Sequence, residues 1–409
     1  MKILYISQYF HPEIGATTNR AAAIALAMKD AGHQVTMLCE MPNHPQGVIF
    51  PGYRGKFIAQ DDYQGIPVVH LPVKASPKKN FLTRVLMYVS FSVSAMLYLA
   101  LRRPSYDLLY ISSPPLFVAL CGLLSKLIFP RRRVVFEVRD LWPDSAIDLG
   151  ELTNKTLIRV SQALERSIYY KSDLVVGVTQ YIRTVLLAKG VPDKKIVVNR
   201  NGVDAVIVDA YSGPKQKKGE EPFTAIFSGN MGLAYDLEPV LHCADLMRDE
   251  LVRFLLIGEG PGKKGLQLLS RQLKLNNVVF RDPVPMADLS PILAEADCGI
   301  LCLKDLPVLN GALPVKIFDY MAFALPIVAG IKGEAADLII EAQAGIICSP
   351  GDSSGLAAAI CRLMSDPEKA VELGQQGRKY VLERFQRKLL ASGLVAELSS
   401  RFEKPARQD

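Results

Sequence analysis

Leu313-Pro314-Val315-Lys316-Ile317-Phe318-Asp319-Tyr320-Met321-Ala322-Phe323-Ala324-Leu325-Pro326-Ile327-Val328-Ala329 reads as a helix followed by a short strand at Pro326–Val328. A lysine at the start of a helix opposes the positive end of the helix dipole. Lys316 makes sense there if it neutralises an anion, and a diphosphate would gain from both the ammonium and the helix end. Asp319 lies three residues on, along the same helical face, where it can accept hydrogen bonds from ribose hydroxyls. An ordinary Lys316–Asp319 surface pair is the other reading of the same spacing.

Outward from this unit the pattern repeats. Before it, strands are expected at Thr224–Phe227, Arg253–Ile257, Val278–Phe280 and Cys298–Leu301, and after it at Ala344–Cys348, with helices between. The breaker-rich run Ser212-Gly213-Pro214-Lys215-Gln216-Lys217-Lys218-Gly219-Glu220-Glu221-Pro222 precedes them. Upstream of it the same alternation occupies the first half: strands at Lys2–Tyr9, Gln34–Cys39, Val68–Leu71, Leu108–Ile111, Val134–Val138, Leu174–Val178 and Ile196–Val198, and a helix over Asn19–Ala31 that stops at Gly32. Alternating strands and helices imply parallel sheets covered by helices on both faces. The chain of 409 residues is therefore expected to be α/β, with two Rossmann-like domains facing each other across a cleft. The boundaries expected are 1–205, 206–381 and a C-terminal helical stretch, 382–409.

Glycine-bearing strand ends mark where a ligand can approach the backbone. Gly15 stands in Gln8-Tyr9-Phe10-His11-Pro12-Glu13-Ile14-Gly15-Ala16-Thr17, between the first strand and its helix. Gly229 and Asn230 follow one strand of the second half, and Gly258 and Glu259 the next; two such ends in consecutive units form a phosphate-facing floor. Neither the first loop nor these is G-x-G-x-x-G with a downstream ribose-clamping acid, so no dinucleotide cofactor is expected. Arg139-Asp140-Leu141-Trp142-Pro143-Asp144 ends the strand Val134–Val138. It is either a capped turn with Trp142 as packing or a place where Asp140 touches an acceptor. Arg200-Asn201-Gly202-Val203-Asp204 is a tight domain-crossing turn or a further contact. The sequence contains no Asp-x-Asp, so no metal site is expected.

Charge is local. The formal net charge is +7, yet residues 74–133 hold ten Lys or Arg (Lys74, Lys78, Lys79, Arg84, Arg102, Arg103, Lys126, Arg131, Arg132 and Arg133) against Asp107 alone, leaving the remainder at −2. The uncharged run Val85–Leu101 and a second apolar stretch, Leu116–Phe129, lie inside this segment. Val85–Leu101 is short for a bilayer span, which needs about 20 residues. Phe81, Tyr88, Phe91 and Tyr98 share one helical face. The segment is either a pair of core helices with basic ends or a membrane-surface element, aromatic on one face and cationic at its edges. Nucleic-acid binding is disfavoured, because the basic residues alternate with long apolar runs. Seven scattered cysteines without a paired spacing fit a reducing compartment, and the opening Met1-Lys2-Ile3-Leu4-Tyr5-Ile6 lacks the pattern of a signal peptide. The expected location is cytoplasmic, peripheral on the inner face of the cytoplasmic membrane.

Taken together, Pro-Glu-Ile-Gly at 12–15, Arg-Asp-Leu-Trp-Pro at 139–143, Asn-Gly-Val-Asp at 201–204, Gly-Asn-Met-Gly at 229–232, Gly-Glu-Gly at 258–260 and Pro-Val-Lys-Ile-Phe-Asp-Tyr-Met-Ala at 314–322 resemble family 4 of the retaining glycosyltransferases, of GT-B architecture. The bacterial surface-polysaccharide branch with N-acetylfucosaminyl transferases is the most similar. That resemblance implies transfer with retention from a nucleotide-sugar donor, a UDP-sugar, to a polyprenyl-diphosphate-linked glycan acceptor. It implies donor contacts at Gly15, Arg200, Gly229, Asn230, Gly258, Glu259, Gly311, Ala312, Leu313, Lys316 and Asp319, and catalytic roles for Asp140 and Lys316. The family pattern of two Glu separated by seven residues is here Gly311 and Asp319. Relatives' Arg and Lys after the first strand of the second domain are absent, with Asn230 and Asp236 in that neighbourhood, so Lys316 becomes the main phosphate cation, helped by Arg200. Two other classes fit less well. A nucleotide-sugar epimerase shares the architecture but needs no basic segment. A non-catalytic membrane-docked assembly partner would not need Lys316 and Asp319.

Overall fold

In a computed structural model of the chain, the described residues are 1–78, 81–204, 207, 209, 211, 213 and 221–403. Lys79, the Phe81 side chain, the boundary at 205/206, most of the polar run 212–220 and the tail 404–409 lie outside them. The chain divides into two compact units. Unit 1 is Met1–Arg200 with the chain from Lys388 onward, and unit 2 is Asn201–Arg387.

Unit 1 holds an eight-stranded sheet. Its strands are β1 (Lys2–Ile6), β2 (Gln34–Glu40), β3 (Ala59–Tyr63), β4 (Ile66–Leu71), β5 (Leu108–Ser113), β6 (Arg133–Val138), β7 (Leu174–Gly177) and β8 (Ile196–Val198), in the order β3-β4-β2-β1-β5-β6-β7-β8. All pairs are parallel except the β3–β4 hairpin at the edge. Sheets with both faces covered need strands apolar on both sides, which is why β1, β5 and, apart from Glu137, β6 read as largely apolar runs. Strand β3, Ala-Gln-Asp-Asp-Tyr, carries no such signal and was not expected. The helix Arg387–Phe402 sets Ala391, Leu394, Val395 and Leu398 into the core formed by β1, β2, β4 and the helix Ala16–Asp30.

Unit 2 holds a six-stranded parallel sheet: β9 (Phe223–Ser228), β10 (Val252–Ile257), β11 (Val278–Arg281), β12 (Cys298–Cys302), β13 (Ile327–Gly330) and β14 (Gly345–Cys348), in the order β11-β10-β9-β12-β13-β14. This is the doubly wound dinucleotide-fold order, and ligands bind at the carboxyl edge where the order reverses. In unit 2 the reversal lies between β9 and β12, and in unit 1 between β1 and β5. The helix Val315–Ala322 lies against the sheet because Gly299 makes room: a Cβ there would meet the Tyr320 ring at 2.4 Å.

Two local expectations are corrected. The C-terminal helical stretch expected from residue 382 is broken near its start, with one helix ending at Arg384 and the next starting at Arg387. Between them Gln386 forms a parallel bridge to Val203. The Arg387 guanidinium donates to Gly202 O at 2.7 Å and pairs with Asp204 at 3.2 Å, so Asn201-Gly202-Val203-Asp204 is tied to the returning chain. The second correction concerns the helix Phe81–Arg102. Its aromatic face points inward: Phe91 is fully buried and Tyr88 is hydrogen-bonded to Tyr9. The face left in solvent is aliphatic, carrying Leu82, Leu86, Val89, Val93, Leu97 and Leu101.

Candidate active site

In unit 2, Gly229, Asn230, Gly258, Glu259 and Lys316 gather at the carboxyl edge of β9 and β10. The loop after β10 presses on the loop after β9: Gly229 N donates to Ile257 O at 2.9 Å and Met231 N to Glu259 O at 2.9 Å. A Cβ at Gly258 would meet Gly229 O at 1.8 Å, so only glycine permits this approach. The Lys316 ammonium stands beside the same loop, 3.2 Å from where a Gly229 Cβ would be. Tyr320, one turn along the helix, accepts a hydrogen bond from Ser228 N at 3.0 Å and fixes that helix to the end of β9. Gly229 and Asn230 are exposed, and so is Glu259, which turns toward Lys263 at 3.5 Å. Gly311 closes the short turn Pro307–Gly311, and Ala312 and Leu313 lead from it to the helix.

Lys316 is buried, with Nζ 3.8 Å from the Phe227 ring centroid and 3.7 Å from that of Tyr235. Its Nζ has no hydrogen-bond partner among the described residues, and neither has Asp319 Oδ1. The surface-pair reading of Lys316 and Asp319 is thereby set aside. Burial holds the Lys316 ammonium well below the usual lysine range, against the opposing field of Asp319. Burial likewise pushes the Asp319 carboxyl up to about 7, although Arg387 draws it down. A buried cation without an acceptor costs several kcal/mol. Offered a diphosphate, the same group becomes a charge-assisted donor.

In unit 1, Gly15 occupies the N-cap of the helix Ala16–Asp30 with no side-chain cap, leaving open space over the first N–H groups. Asp140 follows β6, is exposed, and accepts a hydrogen bond from Ser145 Oγ at 3.0 Å. Trp142 packs on Phe117, with ring centroids 5.5 Å apart. The turn is thus a packed one that nonetheless presents its carboxylate. Arg200 ends unit 1, and its carbonyl accepts from Arg20 at 2.9 Å. The expected set is therefore divided: Gly15, Asp140 and Arg200 belong to unit 1, and the remainder to unit 2.

A buried network at the carboxyl edge of the first sheet escaped the sequence reading. Glu137 on β6 accepts from Arg20 Nε at 3.0 Å and Nη2 at 2.9 Å, from Tyr110 at 2.9 Å and from Ser112 at 2.6 Å. Burial alone would raise its carboxyl, but Arg20 and Arg139 hold it below the ordinary range. Arg139 reaches Thr17 Oγ1 at 2.8 Å, in the first turn of the helix that Gly15 caps. The one available signal was a lone acid inside the apolar strand Val134-Val135-Phe136-Glu137-Val138.

The opposed burial effects give a pH prediction for nucleoside-diphosphate binding. With Asp319 as the expected acceptor for ribose hydroxyls, which only its ionised form fully provides, UDP affinity should be full above about 7 and decline as pH falls through that value. UDP's own terminal phosphate titrates near 6, so the comparison is with Asp319→Asn, whose acid limb should be flatter. Calorimetry from mildly acidic to mildly alkaline pH reads this directly, and identical limbs in both proteins would remove Asp319 from the site.

Two family models match the chain: "Glycosyl transferase 4-like domain" over residues 15–202 and "Glycosyl transferases group 1" over residues 211–380. The Escherichia coli protein named "Putative colanic acid biosynthesis glycosyl transferase WcaI" is 26% identical over 336 residues, 79% of this chain and 81% of its own length. A GDP-mannose-dependent alpha-(1-6)-phosphatidylinositol monomannoside mannosyltransferase of Mycolicibacterium smegmatis is 28% identical over 155 residues, 36% of this chain and 40% of that protein. Among solved structures, Anabaena HepE in complex with UDP superposes with a TM-score of 0.69 at 18% identity, over 98% of this chain and 100% of that one. With two doubly wound units, a lysine beside the glycine loops of the second, and family matches covering both, the chain belongs to the group 1 glycosyl transferases and has the GT-B fold.

Proposed function

We propose that this glycosyltransferase moves a sugar from a UDP-linked donor to a polyprenyl-diphosphate-linked glycan in bacterial surface polysaccharide synthesis, with retention and without a metal, at the inner face of the cytoplasmic membrane. The observation that carries the donor half is the buried Lys316 ammonium, without a hydrogen-bond partner among the described residues, beside Gly229 at the switch point of unit 2. A dianionic diphosphate supplies the acceptors it lacks. The choice of uridine draws on the HepE complex with UDP, and the polysaccharide setting on the colanic acid relative. The donor sugar is an N-acetylated amino or deoxy sugar, in keeping with the branch the sequence resembles.

In this reading the leaving diphosphate is met by Lys316, by the N-terminus of the helix Val315–Ala322 and by backbone N–H groups of the glycine loops. The acceptor hydroxyl attacks on the face the nucleotide leaves, and the departing phosphate oxygen takes its proton. Asp140 orients the acceptor and supports the positive charge that develops on the transferred sugar. Because the sequence offers no Asp-x-Asp, turnover should persist in excess chelator. Activity lost to chelator and restored by magnesium or manganese would contradict this assignment.

The identifying experiment is a thermal-shift screen of UDP- and GDP-sugars. A ligand at about 100 times its dissociation constant stabilises by roughly 2.7 kcal/mol. Stabilisation by UDP-sugars is expected; stabilisation by GDP-sugars alone would move the donor to the guanine class, and none by any nucleotide would end the donor reading.

A further inference from the structure

The helix Phe81–Arg102 has 22 residues, about 33 Å at 1.5 Å per residue. By length and composition it is sufficient to cross a membrane. One side of it is committed to the fold, however: Phe91, Ser92, Ala95 and Leu99 are buried. The opposite side exposes Leu82, Leu86, Val89, Val93, Leu97 and Leu101, one row at helical spacing, with Leu82 66% and Leu101 78% exposed. The neighbouring helix Ala119–Ile128 adds Leu127 at 80% exposure.

The surrounding cations are of two kinds. Arg84 pairs with Glu151, Lys126 and Arg133 pair with Asp173, and Arg132 stacks on Tyr106 and Phe129. Lys78, Arg102, Arg103 and Arg131 are exposed and have no acidic partner among the described residues. They stand before the stripe, at its end and after the helix carrying Leu127. A purely aliphatic row contains no hydrogen-bonding groups, whereas protein interfaces carry about one hydrogen bond per 100–200 Å² and favour aromatic residues. An anionic bilayer asks for neither, and it does ask for cations at the edges.

We infer that the aliphatic stripe, and not the aromatic face of the same helix, is the surface that enters an anionic phospholipid bilayer, with the helix lying in the interface. This rests on the membrane-surface reading above and names the residues that execute it. The placement also has a chemical use. Tyr88 is bonded to Tyr9, in the loop after β1 that leads to Gly15, and Arg84 meets Glu151 at 2.6 Å, just beyond the short helix Asp144–Asp148 that follows the Asp140 turn. A lipid-linked acceptor, whose diphosphate stays at headgroup level, then reaches the acceptor residues without leaving the bilayer.

The test is co-sedimentation of the full chain with vesicles of phosphatidylcholine, or of equal parts phosphatidylcholine and phosphatidylglycerol, at about 0.1 M and about 1 M salt. Two variants accompany the parent: Leu86→Ser with Val93→Ser and Leu97→Ser, and Lys78→Gln with Arg102→Gln, Arg103→Gln and Arg131→Gln. The parent should pellet with the anionic vesicles and be released by alkaline carbonate. The stripe variant should partition about tenfold more weakly for each leucine removed, and the charge variant should lose its preference for the anionic lipid. UDP affinity should be unchanged in both. A protein that pellets as expected but ignores UDP upholds the docking surface while defeating the donor reading. The inference is overturned if the stripe variant pellets like the parent, if the parent ignores vesicles, or if carbonate fails to release it, which would indicate a span. It is also overturned if the parent is a dimer that the stripe variant makes monomeric, since a second copy would then own the stripe.

Discussion

Replacing Lys316 by methionine should remove UDP-induced stabilisation while leaving the ligand-free protein at least as stable as the parent. The side chain is buried against Phe227 and Tyr235, and its ammonium lacks an acceptor among the described residues. An apolar chain of similar volume relieves that desolvation cost; replacing buried ionic groups by well-packed apolar ones is often neutral or stabilising. In the complex the balance reverses. A charge-assisted contact to phosphate contributes about 1.5–3 kcal/mol, so UDP affinity and turnover should each fall roughly 10- to 150-fold. Thermal melts with and without UDP separate the two effects. A variant that melts earlier and still binds UDP normally would make Lys316 a structural residue. Gain of stability with loss of function is the pattern expected where a site stores strain for its ligand.

Asp140→Asn should produce a different split. Its carboxylate is held by Ser145, and asparagine keeps that hydrogen bond and the shape of the turn. What it loses is negative charge on the acceptor side. Turnover should fall about 100-fold or more, the scale of a lost electrostatic contact in a transition state, while UDP affinity stays that of the parent, because Asp140 is proposed on the acceptor side and Lys316 and Asp319, the proposed diphosphate and ribose contacts, belong to unit 2. Steady-state rates paired with calorimetry decide it. A normal rate with poor UDP affinity would place Asp140 on the donor instead.

The sequence was most informative where strands are buried on both faces. Strands β1, β5, β6, β9 and β10 are mainly apolar, with Glu137 inside β6 and Arg253 inside β10 as charged exceptions, and the glycines ending β9 and β10 announced where backbone must approach backbone. Ends were less legible. Strand β13 starts at Ile327 and not at Pro326, since proline has no N–H to give a neighbouring strand. The helix wheel correctly grouped Tyr88, Phe91 and Tyr98 on one face but could not say which face the protein keeps. That depended on Tyr9, far away in sequence. Glu137 was silent for the same reason: its partners Arg20, Tyr110 and Ser112 come from a helix and a neighbouring strand, and only the fold assembles them. Lys316 was legible because its position conflicts with the helix dipole, a local contradiction that needs no tertiary information.

The bridge between Val203 and Gln386 makes Asn201–Arg387 an insertion whose two ends are neighbours. Parallel neighbours lie about 4.8 Å apart, so the chain leaves the first unit and returns to it at nearly one point. Residues 201–387 are in this sense a cassette. A gene for a relative's nucleotide-binding half, spliced between Arg200 and Lys388, would meet the host chain at the same two adjacent ends. The contacts of Arg387 with Gly202 and Asp204 lie within that segment and would travel with it. On the proposed assignment of donor to unit 2 and acceptor to unit 1, recombination at this one seam would exchange the donor while leaving the acceptor side unchanged.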